Sequence, residues 1–223
     1  MGDAVGQMLA SAVGIAISPL PLIAVILMLA TPKGRVNGAA FAAGWAVALA
    51  AVVTVVVLAG SGLTTGSSKP VWAWWLKLAI GVFLLLLGLT RWKDRPREGH
   101  VHGPPTWMRT VHRSTPGRVV GLAAVLLTAD PKNLVLAVGG ALSIATSTAS
   151  GSGKAVAAAL LVLVGSLCTL LPSAVHLFGG DGAARTLGEW KAWTAAHNPA
   201  IVLVSLVVLG ATYVGDAISR LTI

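Results

Sequence analysis

Residues 127–136 read LTADPKNLVL and lie within a long apolar run, Val119–Ala145. An Asp or a Lys at the centre of a membrane helix costs about 2.5–3.5 kcal/mol on insertion scales, so two of them need compensation. Asp130 and Lys132 cannot pair along a regular helix, because residues i and i+2 face nearly opposite ways. Asp is a strong N-cap, and Pro is favoured at the first helical position. Asp130 and Pro131 therefore predict a new helix that begins inside the membrane.

The composition is that of a polytopic membrane protein. The 223 residues are 56% hydrophobic and 10% charged, whereas a soluble domain carries about 25% charged residues. The mean hydropathy is +0.84, and several charge-free stretches exceed the roughly 20 apolar residues that span a bilayer. No Lys or Arg precedes the first apolar run, so we expect a true first span rather than a signal peptide. The single cysteine, Cys168, excludes a disulfide within the chain.

Apolar length and turn signals predict six membrane spans in one all-α transmembrane domain. The predicted spans are Ala4–Ala30, Asn37–Ala59, Val71–Thr90, Arg118–Ala145, Ala155–Phe178 and Asn198–Ser219. A long polar loop, Arg91–Gly117, divides the chain into two halves of three spans. We therefore predict one repeat over residues 1–92, a loop over 93–117 and a second repeat over 118–223. Because each half has an odd number of spans, the two repeats are inverted.

The distribution of Lys and Arg predicts the orientation in the membrane. Eleven of the sixteen cations lie on the side of the long loop and four on the other side, with Lys132 inside the membrane. The long loop and its flanks hold Arg91, Lys93, Arg95, Arg97, Arg109, Arg113 and Arg118, and the opposite side holds Lys69, Lys77, Lys154 and Arg220. We expect the loop to be cytoplasmic and both termini to be outside. The net charge of +9 then reflects topology and anionic lipid headgroups rather than nucleic acid.

The segment Ala183–Ala196 precedes the last predicted span. It places Leu187, Trp190 and Trp193 on one side, with charged residues among them. This pattern predicts a short helix that lies in the cytoplasmic interface. The alternative is a solvated connector.

The first span contains a second proline break. Residues 15–22 read IAISPLPL, where Ser18 is a good N-cap and Pro19 would be the first helical residue. Pro19 and Pro131 are 112 residues apart, about half the chain, so the breaks occupy corresponding positions in the two halves. Two discontinuous helices at corresponding positions of inverted repeats are typical of secondary transporters.

The two breaks define a candidate substrate site near the membrane midplane. Its residues are Ser18, Pro19, Pro21, Asp130, Pro131, Lys132 and Asn133. Two internal helix N-termini, together with Lys132, would favour an anionic group there. Asp130 either stays ionised and balances Lys132, or takes up a proton and couples transport. The alternative is a kinked first span and an internally satisfied polar cluster that only stabilises packing.

Other candidate chemistry is weaker. His100, His102 and His112 lie in an Arg-rich loop, which suits a solvated basic segment better than a metal site. The sequence has no nucleophile-base-acid set, phosphate loop or cofactor motif, so we expect neither an enzyme nor a cofactor. Small residues usually serve close helix packing in membranes. Gly165, Ser166 and Thr169 form such a set in the fifth span, and the alternative for Thr54, Ser166 and Thr169 is that they face a cavity.

Three stretches carry a family resemblance: Ser18–Pro21, Gly34–Trp45 and Pro131–Asn133. With their flanks they resemble the sulfolipid- and peptidoglycolipid-addressing proteins of mycobacteria and related actinobacteria, a branch of the lysine exporter superfamily. The resemblance covers nearly the whole chain. It implies a six-span inner-membrane protein that helps move glycolipids or lipid-linked envelope components to the cell surface. Family members often have Asn at the position of Asp130, which argues against a conserved proton-carrying role for this residue.

Three functions remain open from the sequence. The first is a transporter that exports or flips a lipidic anion through the midplane site. The second is an exporter of small solutes such as amino acids, which a closed and narrow polar cavity would favour. The third is a scaffold that docks a lipid-synthesis enzyme or a larger lipid export pump through its basic loop. A homo-oligomer is compatible with each of them.

Overall fold

The computed structural model describes residues 2–62, 71–93 and 115–221, and these residues form nine α-helices, one 3-10 turn and no strand. The helices are α1 Gly2–Ala16, α2 Pro19–Leu29, α3 Gly34–Gly62, α4 Val71–Lys93, α5 Pro116–Ala129, α6 Pro131–Ala145, α7 Gly151–Gly165, α8 Leu167–Phe178 and α9 Ala183–Leu221. The 3-10 turn is Gly180–Gly182. The described residues therefore belong to the all-α class that the composition predicts.

Two helices are long and apolar enough to cross a membrane unaided, over Gly34–Ser61 and Ala183–Ser219. Three pairs of bent helices raise the number of candidate spans in the described residues to five. A shorter apolar stretch, Trp74–Thr90 in α4, falls below that length. The prediction of a helical membrane protein is confirmed at this level.

Both predicted proline breaks are present. The axes of α1 and α2 differ by 44°, and those of α5 and α6 differ by 79°. Asp130 has extended backbone torsions, with φ −86° and ψ 104°, as expected for a residue that ends one helix and caps the next. Each break follows from proline, which has no N–H for the carbonyl four residues earlier and crowds that carbonyl with its ring.

A third break, which we did not predict, bends α7 against α8 by 57° at Ser166. Pro172 lies inside α8 and cannot donate a hydrogen bond to the carbonyl of Cys168. The bend lies two residues before Cys168, at the small residues Gly165 and Ser166, where the chain kinks readily. The sequence signal was therefore Pro172 together with Gly165 and Ser166.

The predicted separation between an interfacial helix and the last span is wrong. Residues of Ala183–Ala196 continue into the span as one 39-residue helix, α9, which contains Pro199. At 1.5 Å per residue this helix is about 58 Å long, well beyond a bilayer core. Leu187 and Thr194 are buried against the bundle. This packing holds the first turns of α9 in line although Pro199 removes one backbone hydrogen bond.

The helices pack so that the two halves of the chain interleave. α4 packs along α9, α1 along α6, and α3 along both α5 and α6. The largest fully buried side chains include Trp45, Phe41 and Met8. Lys77, one of the four cations assigned to the outer side, lies in α4 and is buried, and its Nζ donates to Asp216 Oδ2 of α9 at 3.0 Å.

Candidate functional site

The first and second breaks meet in the interior of the bundle. Lys132 Nζ donates a hydrogen bond to the carbonyl of Gly14 at 3.0 Å. Asn133 Nδ2 donates to Ser18 Oγ at 3.0 Å. Ser18, Lys132 and Asn133 are all buried. Two polar contacts between residues more than 110 positions apart therefore connect the end of α1 to the start of α6.

Pro19 explains why the carbonyl of Gly14 is available. Pro19 has no N–H for the carbonyl of Ile15, and the N–H of Ser18 bonds that carbonyl instead, at 3.0 Å. The carbonyl of Gly14 thereby loses its regular partner, the N–H of Ser18. This carbonyl belongs to the C-terminal end of α1, which carries partial negative charge. The ammonium of Lys132 therefore has a helix end as its hydrogen-bond partner, and no ion pair between it and a carboxylate is found in the described residues.

Asp130 caps α6, as the sequence predicted. Its Oδ1 accepts from the backbone N–H of Lys132 at 3.1 Å, and its Oδ2 accepts from Asn133 Nδ2 at 3.0 Å. Ser18, by contrast, makes no side-chain cap for α2, because its hydroxyl faces Asn133. The expectation of two equivalent caps is therefore wrong for the first break.

The predicted site residues gather into one polar cluster, which we call the break cluster: Ser18, Asp130, Lys132 and Asn133. The predicted prolines differ in exposure, since Pro19 and Pro21 are buried whereas Pro131 is exposed. Each of the four side chains has at least one hydrogen-bond partner, but one buried acceptor atom has none. Asn133 Oδ1 is buried and has no hydrogen-bond partner among the described residues. An unpaired buried acceptor is costly, so this atom is where an added donor would be most favourable.

The third break lies beside the first. The carbonyl of Gly165 accepts from Trp45 Nε1 at 3.3 Å. A Cβ added at Gly165 would lie 2.9 Å from Leu49 Cδ2 and 3.5 Å from Ile15 Cγ2, so this break touches both α3 and α1. Ser166 Oγ is buried without a hydrogen-bond partner among the described residues.

A cleft of about 950 Å³ runs between α3 and the α7–α8 pair. Its walls are mostly Ala, Val and Leu, and its polar lining residues are Thr54, Ser61, Lys154 and Ser166. Lining residues such as Leu58 and Leu163 are exposed, so the cleft opens at the surface of the bundle. Of the three residues for which a cavity was the alternative, Thr54 and Ser166 line this cleft. Thr169 is not part of its lining, and its hydroxyl donates to the carbonyl of Ser166 at 2.9 Å.

Lys154 and Ser61 line the cleft without having been predicted, because Lys154 was assigned only to the outer side of the membrane and Ser61 has no distinctive sequence context. The predicted basic loop residues Arg95, Arg97, Arg109 and Arg113 lie outside the described residues, as do His100, His102, His112 and the side chain of Arg91. Within the described ranges, no group of three His, Cys, Asp or Glu side chains is placed to hold a metal ion.

Comparison with known proteins agrees with the resemblance seen in the sequence. No curated protein and no solved structure matches the chain. A family model described as "Sap, sulfolipid-1-addressing protein" matches residues 8–219. The matched region contains all three breaks, the break cluster and the cleft. Because the match covers almost the entire sequence, the chain belongs to the sulfolipid-1-addressing protein family.

Proposed function

We propose that the protein is an inner-membrane transporter that exports or flips an anionic glycolipid or a lipid-linked envelope component toward the cell surface. The observation that carries the proposal is the meeting of two discontinuous helices at the break cluster. Paired helix breaks near the centre of a bundle are where secondary transporters bind their substrates. The family's description as sulfolipid-addressing supports a lipid with an anionic headgroup as the substrate.

The proposed architecture is six spans in two inverted repeats, with α4 as the third span. The packing supports this arrangement, since α3 lies against α5 much as α7 lies against α1, and α4 lies against α9. In two repeats, α3 corresponds to α7, α1 to α5 and α4 to α9. The contact of α3 with α5 is therefore equivalent to that of α7 with α1, and the contact of α4 with α9 is equivalent to itself. In this arrangement both termini face outside, and the long loop faces the cytoplasm.

The break cluster supplies the moving contacts in the proposed mechanism. Rocking one repeat against the other separates Lys132 from the carbonyl of Gly14, and Asn133 from Ser18. Lys132 then offers its ammonium to an anionic headgroup, and the headgroup replaces the end of α1 as its partner. Charge-assisted hydrogen bonds of this kind contribute about 1.5–3 kcal/mol. Because Lys132 exchanges one such bond for another, the two states are similar in free energy and can interconvert. The energy for net movement of the lipid comes from outside this protein. We propose no enzymatic activity for the chain itself.

The shape of the cleft favours a lipid over a small solute. A small-solute exporter needs an enclosed polar cavity, whereas the cleft between α3 and α7 is lined by apolar side chains and opens at the surface. An acyl chain can enter such an opening sideways from the bilayer. The scaffold function depends on the basic loop, and the experiment below separates it from transport.

The test replaces Lys132 with Gln in cells that lack the native protein and measures the envelope lipid extracted from the cell surface. Loss of a charge-assisted hydrogen bond predicts a decrease of roughly tenfold or more at equal protein abundance. Lys33→Gln is the matched control, because Lys33 is exposed between α2 and α3. A second variant carries Gln at Arg95, Arg97, Arg109 and Arg113. Export that survives Lys132→Gln but fails in the loop variant would overturn transport and support the scaffold.

A further inference from the structure

The cleft between α3 and α7 has a polar end and an apolar length. From Lys154 to Ser166 it follows α7 for about 18 Å at 1.5 Å per residue. Its volume of about 950 Å³ lies at the upper end of the roughly 300–1,000 Å³ that ligand pockets usually occupy. Over this length the walls are Ala, Val and Leu side chains, with Thr54 on the α3 side.

Lys154 lies at the polar end of the cleft, and no carboxylate of the described residues forms an ion pair with it. Its Nζ donates to the carbonyl of Ala145 at 2.7 Å and to Ser61 Oγ at 3.2 Å, and both acceptors are neutral. The ion pairs found in the described residues, Lys77 with Asp216 and Arg185 with Glu189, do not involve it. The two neutral contacts hold the ammonium at the mouth, where an anion can reach it.

The first turn of α7 adds to the positive potential at the same end. Ser150 caps this helix by accepting from the N–H of Gly153 at 3.2 Å. Gly151 lines the cleft beside Lys154. The N-terminus of an α-helix carries partial positive charge and free N–H groups, which favour anions. Small residues in this turn leave the backbone open to a bulky headgroup.

Ser166 marks the opposite end of the cleft. Ser166 lines the cavity, and its hydroxyl is buried without a hydrogen-bond partner among the described residues. It sits at the third break, where the carbonyl of Gly165 is already bonded to Trp45. A ligand that brings a polar linkage or a hydroxyl to this depth would satisfy it.

We infer that this cleft binds an anionic membrane lipid, with one acyl chain between α3 and α7 and the headgroup at Lys154. The length of the cleft, its apolar walls and the ammonium of Lys154 at its mouth match one amphiphile in one orientation. Under the proposed topology the mouth faces outside, so the cleft would receive exported lipid before its release into the outer leaflet. That role as a release site rests on the proposed function, whereas lipid binding does not.

The experiment uses phosphatidylglycerol with a photoreactive diazirine in one acyl chain. The full chain is reconstituted in phosphatidylcholine vesicles that contain this probe, irradiated and mapped by peptide mass spectrometry. A phosphatidylcholine probe with the same diazirine reports contacts that need no negative charge. We expect the anionic probe to label residues 46–61 and 151–165 about tenfold more than the zwitterionic probe.

Four variants test the two parts of the site. Lys154→Gln should reduce labelling by the anionic probe about tenfold, toward the level of the zwitterionic probe. Lys154→Arg should retain it, and Lys33→Gln should leave it unchanged. Ala159→Phe fills the cleft from its exposed side, where a larger side chain is tolerated, and should reduce labelling by both probes.

Two results would overturn the inference. Equal labelling of the cleft by both probes would mean that it is an ordinary lipid contact, and labelling unaffected by Lys154→Gln would place the headgroup elsewhere. Because labelling requires no transport, its outcome is independent of the export test. Selective labelling together with normal export in the Lys132→Gln variant would keep the lipid site and reject the proposed mechanism.

Discussion

Two lysines lie in the interior of the bundle, and the protein compensates each in a different way. Lys132 bonds the carbonyl of Gly14, which the first break has released. Lys77 forms an ion pair with Asp216 at 3.0 Å and also lies 5.0 Å from the ring centroid of Trp74. The first arrangement can be exchanged for a ligand, because its acceptor is a backbone carbonyl with only a partial negative charge. The second joins two opposite charges across α4 and α9 and is better suited to holding them together.

The ion pair between Lys77 and Asp216 gives a prediction about stability. Removing one partner of a buried pair leaves an uncompensated charge and costs about 3–5 kcal/mol. We therefore expect Lys77→Met to destabilise the protein by about that amount. The double variant Lys77→Met with Asp216→Leu should recover most of the loss, since apolar replacement of a whole pair is often neutral. Unfolding in detergent micelles measures both, with Lys33→Met as an exposed control. The single variant Asp216→Leu completes the comparison. A double variant whose loss of stability equals the sum of the losses in Lys77→Met and Asp216→Leu would contradict the prediction.

The helices of this protein are divided by prolines, and each division has a local cause. Pro19 and Pro131 begin new helices, and the fifth predicted span bends at Gly165 and Ser166, shortly before Pro172. Pro199 has the same chemistry but leaves α9 continuous. The difference is one of tertiary support, because Leu187 and Thr194 hold the preceding turns of α9 against the bundle.

The contact between α4 and α9 depends on a pair of glycines that allow the two backbones to approach closely. A Cβ added at Gly210 would lie 3.0 Å from the carbonyl oxygen of Gly81 and 2.8 Å from Leu85 Cγ, whereas one added at Gly215 would meet nothing within 4 Å. Gly210 and Gly215 are both inside α9. A change to Ala therefore gains the same helix propensity at either position, about 0.8–1 kcal/mol.

We therefore predict opposite effects from the same substitution at these two positions. Gly215→Ala should be neutral or slightly stabilising. Gly210→Ala should be less stable than Gly215→Ala by about 1–3 kcal/mol, the usual cost of overpacking. Thermal unfolding of the two variants in one detergent makes the comparison. Equal stabilities would show that α4 and α9 can separate without cost.

At the scale of the whole molecule, the proposed topology places the long loop and the C-terminus on opposite sides of the membrane. Single cysteines test it: Ser114→Cys in the loop and Ser219→Cys near the end of α9. A membrane-impermeant maleimide should label Ser219→Cys in intact spheroplasts, and Ser114→Cys only after permeabilisation. The native chain serves as the blank, because Cys168 is buried. Labelling of both cysteines from the same side would refute three spans in the second half.

Much of the candidate site was predictable from local chemistry. Asp130 as an N-cap, Pro131 as a first helical residue and Ser18 as an extended residue before Pro19 all follow from short-range preferences. The role of Ser18 as the acceptor for Asn133 was not predictable, because its partner is 115 residues away in the chain. Lys154 was assigned only to a side of the membrane, since its sequence context gives no sign of the cleft that α3 completes.

The boundary between sequence and tertiary structure follows from the range of the forces involved. Apolar length gives membrane helices, and the missing N–H of proline gives breaks at Ser18 and Asp130, because both effects act within a few residues. The sequence therefore sufficed for the helical membrane class and for two of the three breaks. Only the packed bundle decides that Lys132 reaches the carbonyl of Gly14, and that α3 and α7 leave a cleft with Lys154 at its mouth. Those features depend on how separate helices meet, which no local pattern encodes.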